Sequence, residues 1–492
     1  MMIQTPDWVK HAVFYQIFPD RFARTQSPRH RPEMAVPLEP WTARPTPQGY
    51  KGGELWGVAE QLDYLQDLGV TALYFTPIFQ SASNHRYHTH DYYQVDPLLG
   101  GNDAFQDLLT AAHQRQMRVV LDGVFNHASR GFFYFNDILE NGPASPWLDW
   151  FQVEAWPLSA YDGDYPANYR SWVNNRALPQ FNHANPAARE YLMRVGEHWV
   201  RQGIDGWRLD VPFEVKAEGF WQEFRQRIKA INPEAYIVGE VWRNAQEWLD
   251  GSQFDGVMNY LFTGPTLAFT GGDRVRMDYA EEPDYYPYPA LDAAGYGQKI
   301  KALLDLYPWE IQLAQLNLLS SHDIARALSV MGDDQTSLEL AVLLQMTFPG
   351  APSIYYGDEV GLRGGLDPDC RWALPPRSEW NLELWQHHRD LIALRHDQPA
   401  LRLGDYRILA TVDHAYCFAR CLTDSAMAPL DRSSTIVVAV NTGDQVAQLT
   451  PQQVPPSLGD PQVLYGAGSL DSGAGQGRWT LTLPPRTGII LG

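Results

Sequence analysis

One pattern, repeated four times, restricts this chain more than any other: an apolar, β-prone run that ends in a carboxylate. Residues 117–126 read M-R-V-V-L-D-G-V-F-N and deliver Asp122, and residues 206–214 read G-W-R-L-D-V-P-F-E and deliver Asp210. Residues 235–242, A-Y-I-V-G-E-V-W, deliver Glu240, and residues 316–323, L-N-L-L-S-S-H-D, deliver His322 and Asp323. Acids are seldom buried unless paired or at work, so packing alone does not account for strands that end this way. Parallel strands wrapped by helices carry their sites at the C-terminal ends, and the four acids then converge on one mouth. Side chains two apart on a strand share a face, which places Arg208 beside Asp210. A lone R-x-D reads as a structural ion pair. Within the recurring pattern it reads as a guanidinium that lowers the pKa of Asp210 and keeps it ionised, as a nucleophilic carboxylate requires.

Strand and helix signals alternate along the chain. Strands are expected at 12–18, 71–75, up to Asp122, up to Asp210, up to Glu240, at 254–260, up to Asp323 and at 352–356. Helices are expected at 58–68 (apolar at Val58, Leu62, Leu65 and Leu68), 103–114, 185–201 with Pro186 in its first turn, and around 300–306. Eight such units predict an α/β fold, a (β/α)₈ TIM barrel. The stretch from Asp122 to Asp210 is longer than one unit needs. Its excess, 128–183, is rich in Phe, Trp, Tyr, Asn, Pro and Gly and shows no clear helical period, which predicts an irregular domain inserted after the third strand. Beyond about residue 402, short alternating strands (416–419, 435–440, 479–483) predict a C-terminal antiparallel β-sandwich. The expected division is a barrel of 1–127 and 184–402, an inserted domain of 128–183 and a sandwich of 403–492. Two loops without period stand out, a Pro/Arg-rich one at 27–49 and a Tyr/Pro-rich one at 278–289.

A formal charge of −20 over 492 residues argues against nucleic acid or an anionic membrane as partner. No apolar run is long enough to span a bilayer, and the N-terminus lacks the pattern of a signal peptide. The 3 cysteines cannot all pair. Cys417 and Cys421, four apart on one strand, would lie roughly 13 Å apart. The expectation is a reducing, cytoplasmic compartment.

D-G-V-F-N-H (122–127), G-W-R-L-D (206–210), G-E-V-W (239–242) and S-S-H-D (320–323) resemble the four signature regions of the α-amylase family of glycoside hydrolases. G-V-T-A-L-Y-F-T-P-I-F (69–79) and G-A-P-S-I-Y-Y-G-D-E-V-G (350–361) resemble its second and eighth barrel strands, and L-P-Q-F-N (178–182) resembles the M-P-K-L-N of the neopullulanase and cyclomaltodextrinase branch. The resemblance implies Asp210 as nucleophile, Glu240 as general acid/base and Asp323 as the carboxylate that grips the sugar. It also implies that His127 and His322 bind sugar hydroxyls, that Tyr87 stacks on the ring at the bond being cut with His85 beside it, and that Trp242 and Glu214 shape the leaving-group side. Asp122 and Asn126 match residues that brace the site. The chemistry agrees: a retaining glycosidase needs one ionised carboxylate to attack and one protonated carboxyl to release the leaving oxygen.

The chain departs from that branch in several places. It begins almost at the first barrel strand, so the branch's extra N-terminal β-domain, which helps form a dimer, is expected to be absent. The loop F-A-R-T-Q-S-P-R lacks the carboxylates of the branch's calcium loop, and Gly52-Gly53-Glu54 stands where G-G-D is usual. Hard calcium wants several oxygen ligands, so no cofactor or metal is expected. V-P-F-E (211–214) replaces V-A-N-E, and His88 stands where an aspartate is common. The expected partners are α-glucan oligosaccharides and a second copy of the chain. The favoured reading is a retaining α-glucan hydrolase cleaving α-1,4, and in addition α-1,6, bonds in cyclodextrins, pullulan and maltooligosaccharides. A debranching or transglycosylating enzyme of the same family is the alternative. A non-catalytic amylase-fold binding module ranks third, because such a module would be free to lose the acids.

Overall fold

The computed structural model describes residues 3–27, 36–161, 163–280, 289–422, 435–451, 458, 461–471 and 479–492. Residues 28–35 of the Pro/Arg-rich loop and most of the Tyr/Pro-rich insertion, 281–288, lie outside the described residues.

Eight parallel strands form the centre: β1 (Phe14–Ile17), β2 (Ala72–Phe75), β3 (Arg118–Gly123), β4 (Gly206–Leu209), β5 (Tyr236–Gly239), β6 (Gly256–Val257), β7 (Leu316–Leu318) and β8 (Ala351–Tyr355). Their order is β6-β5-β4-β3-β2-β1-β8-β7, each paired in parallel with its neighbours. A parallel bridge from Met258 to Leu316 joins the two edges and closes the ring. The expected TIM barrel is therefore present. All eight strands are mainly apolar and, but for Arg118 at the start of β3, buried, as strands covered on both faces must be. Gly206 is needed where β4 meets β5, since a Cβ there would lie 2.4 Å from the Tyr236 carbonyl oxygen.

Local chemistry sets the helix ends. Asn185 accepts the Ala187 and Ala188 N–H groups at the start of Pro186–Gln202, and Gly203, at φ +110°, ends that helix. The helix expected at 58–68 is two pieces, Leu55–Glu60 and Leu62–Leu68, divided at Gln61. Its first piece is capped by the Glu54 carboxylate, which accepts from Gly57 N–H. The helix expected near 300–306 starts earlier and runs Ala293–Leu304.

Several strands stop short of their expected ends. β4 ends at Leu209 and β7 at Leu318, so Asp210 and Asp323 sit on the loops that leave the barrel rather than on strands. The strand expected at 254–260 is only Gly256–Val257. Tyr260 instead opens the helix Tyr260–Gly271, buried everywhere but at Leu261 and hence without the apolar stripe that betrays a helix in sequence. The segment 128–183 contains a true helix, Phe133–Asn141, contrary to the sequence expectation. It packs through Phe135 and Ile138 into an aromatic cluster with Phe132, Phe151, Tyr169 and Phe181.

Beyond the barrel lie a five-stranded and a three-stranded antiparallel sheet. Side chains on its strands alternate between two destinations. Ala415, Cys417, Ala419 and Cys421 join Leu449, Leu481 and Leu483 between the two sheets, while Tyr416 and Phe418 join the main core with the barrel. Cys370, Cys417 and Cys421 are all free and buried. Among the described residues, no helix is long and apolar enough to cross a membrane.

Candidate active site

The end of β3 and the loops leaving β4, β5 and β7 bring four carboxyl groups around one fully buried guanidinium. Arg208 Nη1 donates to both oxygens of Asp122 and to Asp210 Oδ1, each at 3.0 Å. Its Nη2 lies 3.0 Å from Glu240 Oε1 without hydrogen-bond alignment, and 3.9 Å from Asp323 Oδ2. Asp122 Oδ2 also accepts from Tyr74 at 3.1 Å and from Tyr87 at 2.9 Å. Next to Asp210, Val211 is left-handed at φ +34°, unusual for a β-branched residue. That bend turns its N–H onto Glu240 Oε2 at 3.0 Å, and Trp242 Nε1 donates to Oε1 at 3.0 Å. The Trp242 ring is stacked in turn on Tyr260, with centroids 4.0 Å apart.

His322 is held on both ring nitrogens. Nδ1 pairs with Gln16 Nε2 at 2.8 Å, and Nε2 meets the Tyr87 hydroxyl. The amide N–H donates to Nδ1, so Nε2 carries the hydrogen and the Tyr87 hydroxyl is left free to donate to Asp122. The Tyr87 and His322 rings are parallel within 3°, with centroids 5.5 Å apart. His85 accepts the Tyr87 N–H at 3.2 Å. His127 meets Asn126 Nδ2 at 3.2 Å, and Asn126 Oδ1 accepts from Gln180 at 2.7 Å.

Of these groups His85, Tyr87, His127, Asp210, Glu240 and Asp323 line a cavity of about 300 Å³, while Arg208, Asp122, Asn126 and His322 are buried and outside its wall. Trp242 touches Glu240 from outside that wall. Glu214 is absent from it; the Glu214 main-chain carbonyl accepts from Gln180 at 3.3 Å.

The protonation pattern differs from the sequence expectation. Burial pushes Asp210 well above the ordinary carboxylate range and the Glu240 charge adds to it, with Arg208 only opposing. Arg208 therefore does not hold Asp210 below its usual value, because one guanidinium is shared among several carboxyls that have all lost water. Burial also raises Glu240, against Arg208 and with help from Asp323. Burial raises Asp323 against Arg371 and Arg208, and raises Asp122 to about 6 against Arg208. Four carboxyls crowd around too little positive charge, and all four are pushed toward their neutral forms.

The Alpha-amylase family model (Alpha amylase, catalytic domain) matches residues 16–398, nearly the whole barrel together with the segment inserted in it. The chain belongs to the α-amylase family. It is similar to a debranching enzyme from Nostoc punctiforme, a solved structure 60% identical, with a TM-score of 0.91 and 100% of each chain covered. It is also 40% identical to a cyclomaltodextrinase of Geobacillus thermopakistaniensis, over 91% of this chain and 71% of that one. Neopullulanase 2 of Thermoactinomyces vulgaris is 40% identical over 99% of this chain and 78% of its own length. The chain is an α-amylase-family glycoside hydrolase.

Within this family member's cavity, sequence reasoning passed over Trp172, Asn175, Asp367 and Arg371, all of which are in its wall, beside Leu178 of the L-P-Q-F-N motif. Arg371 Nε donates to the His322 carbonyl at 2.9 Å, while its guanidinium lies 3.1 Å from Asp367 and 3.7 Å from Asp323. Asp367 and Arg371 flank a D-P-D-C-R run with no strand or helix period, so their only sequence signal was opposite charge four residues apart. His88, noted as a departure from the branch, also lines the cavity.

Proposed function

We propose that this chain is a retaining hydrolase of α-glucosidic bonds in cyclodextrins, pullulan and maltooligosaccharides. The observation that carries the reading is the meeting of Asp210, Glu240 and Asp323 on one cavity, two of them within 3.0 Å of a shared Arg208. In this reading Glu240, raised by burial, starts protonated and gives its proton to the glycosidic oxygen. Asp210 attacks the anomeric carbon as the bond to that oxygen breaks, which forms a glycosyl ester. Glu240 then takes a proton from water, the water attacks the same carbon, and the Asp210 carboxylate is released. Asp323 holds the sugar ring, Tyr87 stacks on it, and His85 and His127 meet its hydroxyls from the cavity wall; His322 acts from behind Tyr87, and Trp242 and Glu214 shape the leaving-group side from outside the wall. Arg208, Asp122 and Asn126 fix this machinery in place.

Maltoheptaose hydrolysis tests the assignment. Asp210→Asn and Glu240→Gln should each remove activity by many orders of magnitude with unchanged melting, and near-native turnover by Asp210→Asn would overturn the roles. The full-length similarity to a debranching enzyme favours a second reading, in which α-1,6 bonds are the preferred target. A product profile on pullulan, β-cyclodextrin, maltoheptaose and starch separates the two, and products longer than the substrate would reveal glycosyl transfer. We further infer a reducing, cytoplasmic location, supported by three buried free cysteines, and a homodimer, to be checked by sedimentation.

A further inference from the structure

We propose that Trp172 is a positioning residue for this reaction: its indole fixes the His127 imidazole in the wall of the catalytic cavity and thereby sets how productively the sugar is held. The proposal rests on the reading of that cavity as catalytic.

Trp172 belongs to the segment inserted after β3, far in sequence from the four acidic motifs, yet it lines the same cavity as Asp210 and Glu240. Its ring lies on that of His127, with centroids 5.4 Å apart and planes within 20°. His127 needs such a support. The ring is buried, and its side-chain contact is Nδ1 to the Asn126 amide at 3.2 Å. An amide N–H on Nδ1 leaves the hydrogen on Nε2, which has no well-formed hydrogen bond in the free protein. Hydrogen bonding at the edge of the ring leaves its tilt free; a flat indole against its face fixes it. The stack therefore fixes the orientation of the imidazole where His127 enters the wall of the cavity that holds Asp210 and Glu240.

The backbone supports the same conclusion. Trp172 is followed by two consecutive left-handed residues, Val173 at φ +45° and Asn174 at φ +59°. Valine disfavours that region strongly, and the Val173 side chain is 70% exposed, so no burial offsets the strain. The turn is kept closed by its own bonds: Trp172 N–H donates to the Leu178 carbonyl at 3.0 Å, and Asn175 N–H donates to the Trp172 carbonyl at 2.8 Å. Backbone strain of this kind persists where the surrounding structure insists on it and clusters at working sites. What this turn produces is the placement of one indole over one imidazole.

The test is a double-mutant cycle on maltoheptaose with the full chain: wild type, Trp172→Leu, Trp172→Phe, His127→Ala and Trp172→Leu/His127→Ala. Leucine fills much of the indole's space without a flat face, so it probes stacking rather than a hole. The expected result is a loss in kcat/KM of about tenfold or more for Trp172→Leu, with Trp172→Phe within about threefold of wild type. The double variant should be no worse than His127→Ala alone, because residues that act through one another are not additive. Multiplied losses in the double variant would overturn the proposal, as would a phenylalanine variant as damaged as the leucine one. Should Trp172→Leu fail to fold, Trp172→Phe against Trp172→His, both planar, decides in its place: loss of activity in both would contradict the stacking role. A wild-type chain inactive on every glucan would instead remove the hydrolase reading itself.

Discussion

Replacing Arg208 by glutamine tests whether one guanidinium controls the proton inventory of the carboxyl cluster. Arg208 contacts Asp122 and Asp210 at 3.0 Å and lies equally close to Glu240, with no exposure on its side. At roughly 4 Å between charge centres and an effective dielectric of about 20, one such pair is worth ~4 kcal/mol, or about three pKa units. The three contacts do not add, since the carboxylates repel one another and answer the loss by taking up protons. Loss of a positive charge favours the neutral acid, so the pKa of Asp210 rises further and the nucleophile becomes protonated at neutral pH. The expected outcome is a kcat/KM lower by about a thousandfold at neutral pH, with the acid limb of the pH–rate profile moved to higher pH by at least about one unit. Removal of one partner from a buried ion pair should also cost about 3–5 kcal/mol of stability, read by denaturant melts. A variant that melts normally, keeps its acid limb in place and turns over within tenfold of wild type would refute the reasoning.

Two further outcomes are expected. Glu359 is wholly buried, accepts from Tyr15 at 2.8 Å and Tyr64 at 2.5 Å, and burial pushes it up to about 7. Its folded pKa lies above the unfolded value, so its stabilising contribution is full below about pH 4.5 and is lost as pH rises through about 7, roughly 3 kcal/mol in all; Glu359→Gln should flatten the fall in melting temperature over that window, and an unchanged slope would contradict it. Activity should survive prolonged EDTA treatment, because Asp20 and Glu39, the carboxylates on either side of F-A-R-T-Q-S-P-R, serve the chain's own donors: Lys51 Nζ, buried, donates to Pro40 and Ala43 carbonyls at 2.8 and 2.6 Å and pairs with Glu39, while Asp20 accepts from Lys51 and Gly52 N–H groups. Inactivation reversed by calcium alone would contradict it.

What could be read from sequence was what rests on local periodicity and on short motifs. The barrel strands announced themselves as apolar runs because both faces are covered, and the motifs carrying Asp122, Asp210, Glu240 and Asp323 were legible because acids at such positions have no packing explanation. The helix Tyr260–Gly271 was missed for the converse reason, since a helix buried on every side carries no stripe. The helix Phe133–Asn141 hid in an aromatic-rich segment whose order comes from ring packing between distant residues. The rest of the cavity wall, Trp172, Asp367 and Arg371, hangs on irregular loops whose placement depends on long-range contacts, and no local period records those. The net direction of the Asp210 shift was misjudged because a pair was considered where the structure holds a cluster: Arg208 lowers it as expected, but burial and the charges of Glu240, Asp122 and Asp323 outweigh that.

The central claim is double displacement at the anomeric carbon by Asp210 with Glu240 as acid and base. Proton NMR of maltoheptaose hydrolysis in its first minutes measures it most directly, before mutarotation mixes the products. Two successive inversions give net retention, so the newly formed reducing end should appear first as the α-anomer and drift only later toward the equilibrium mixture. A β-anomer appearing first would contradict the account, because it would require a single displacement by water and leave Asp210 no covalent role.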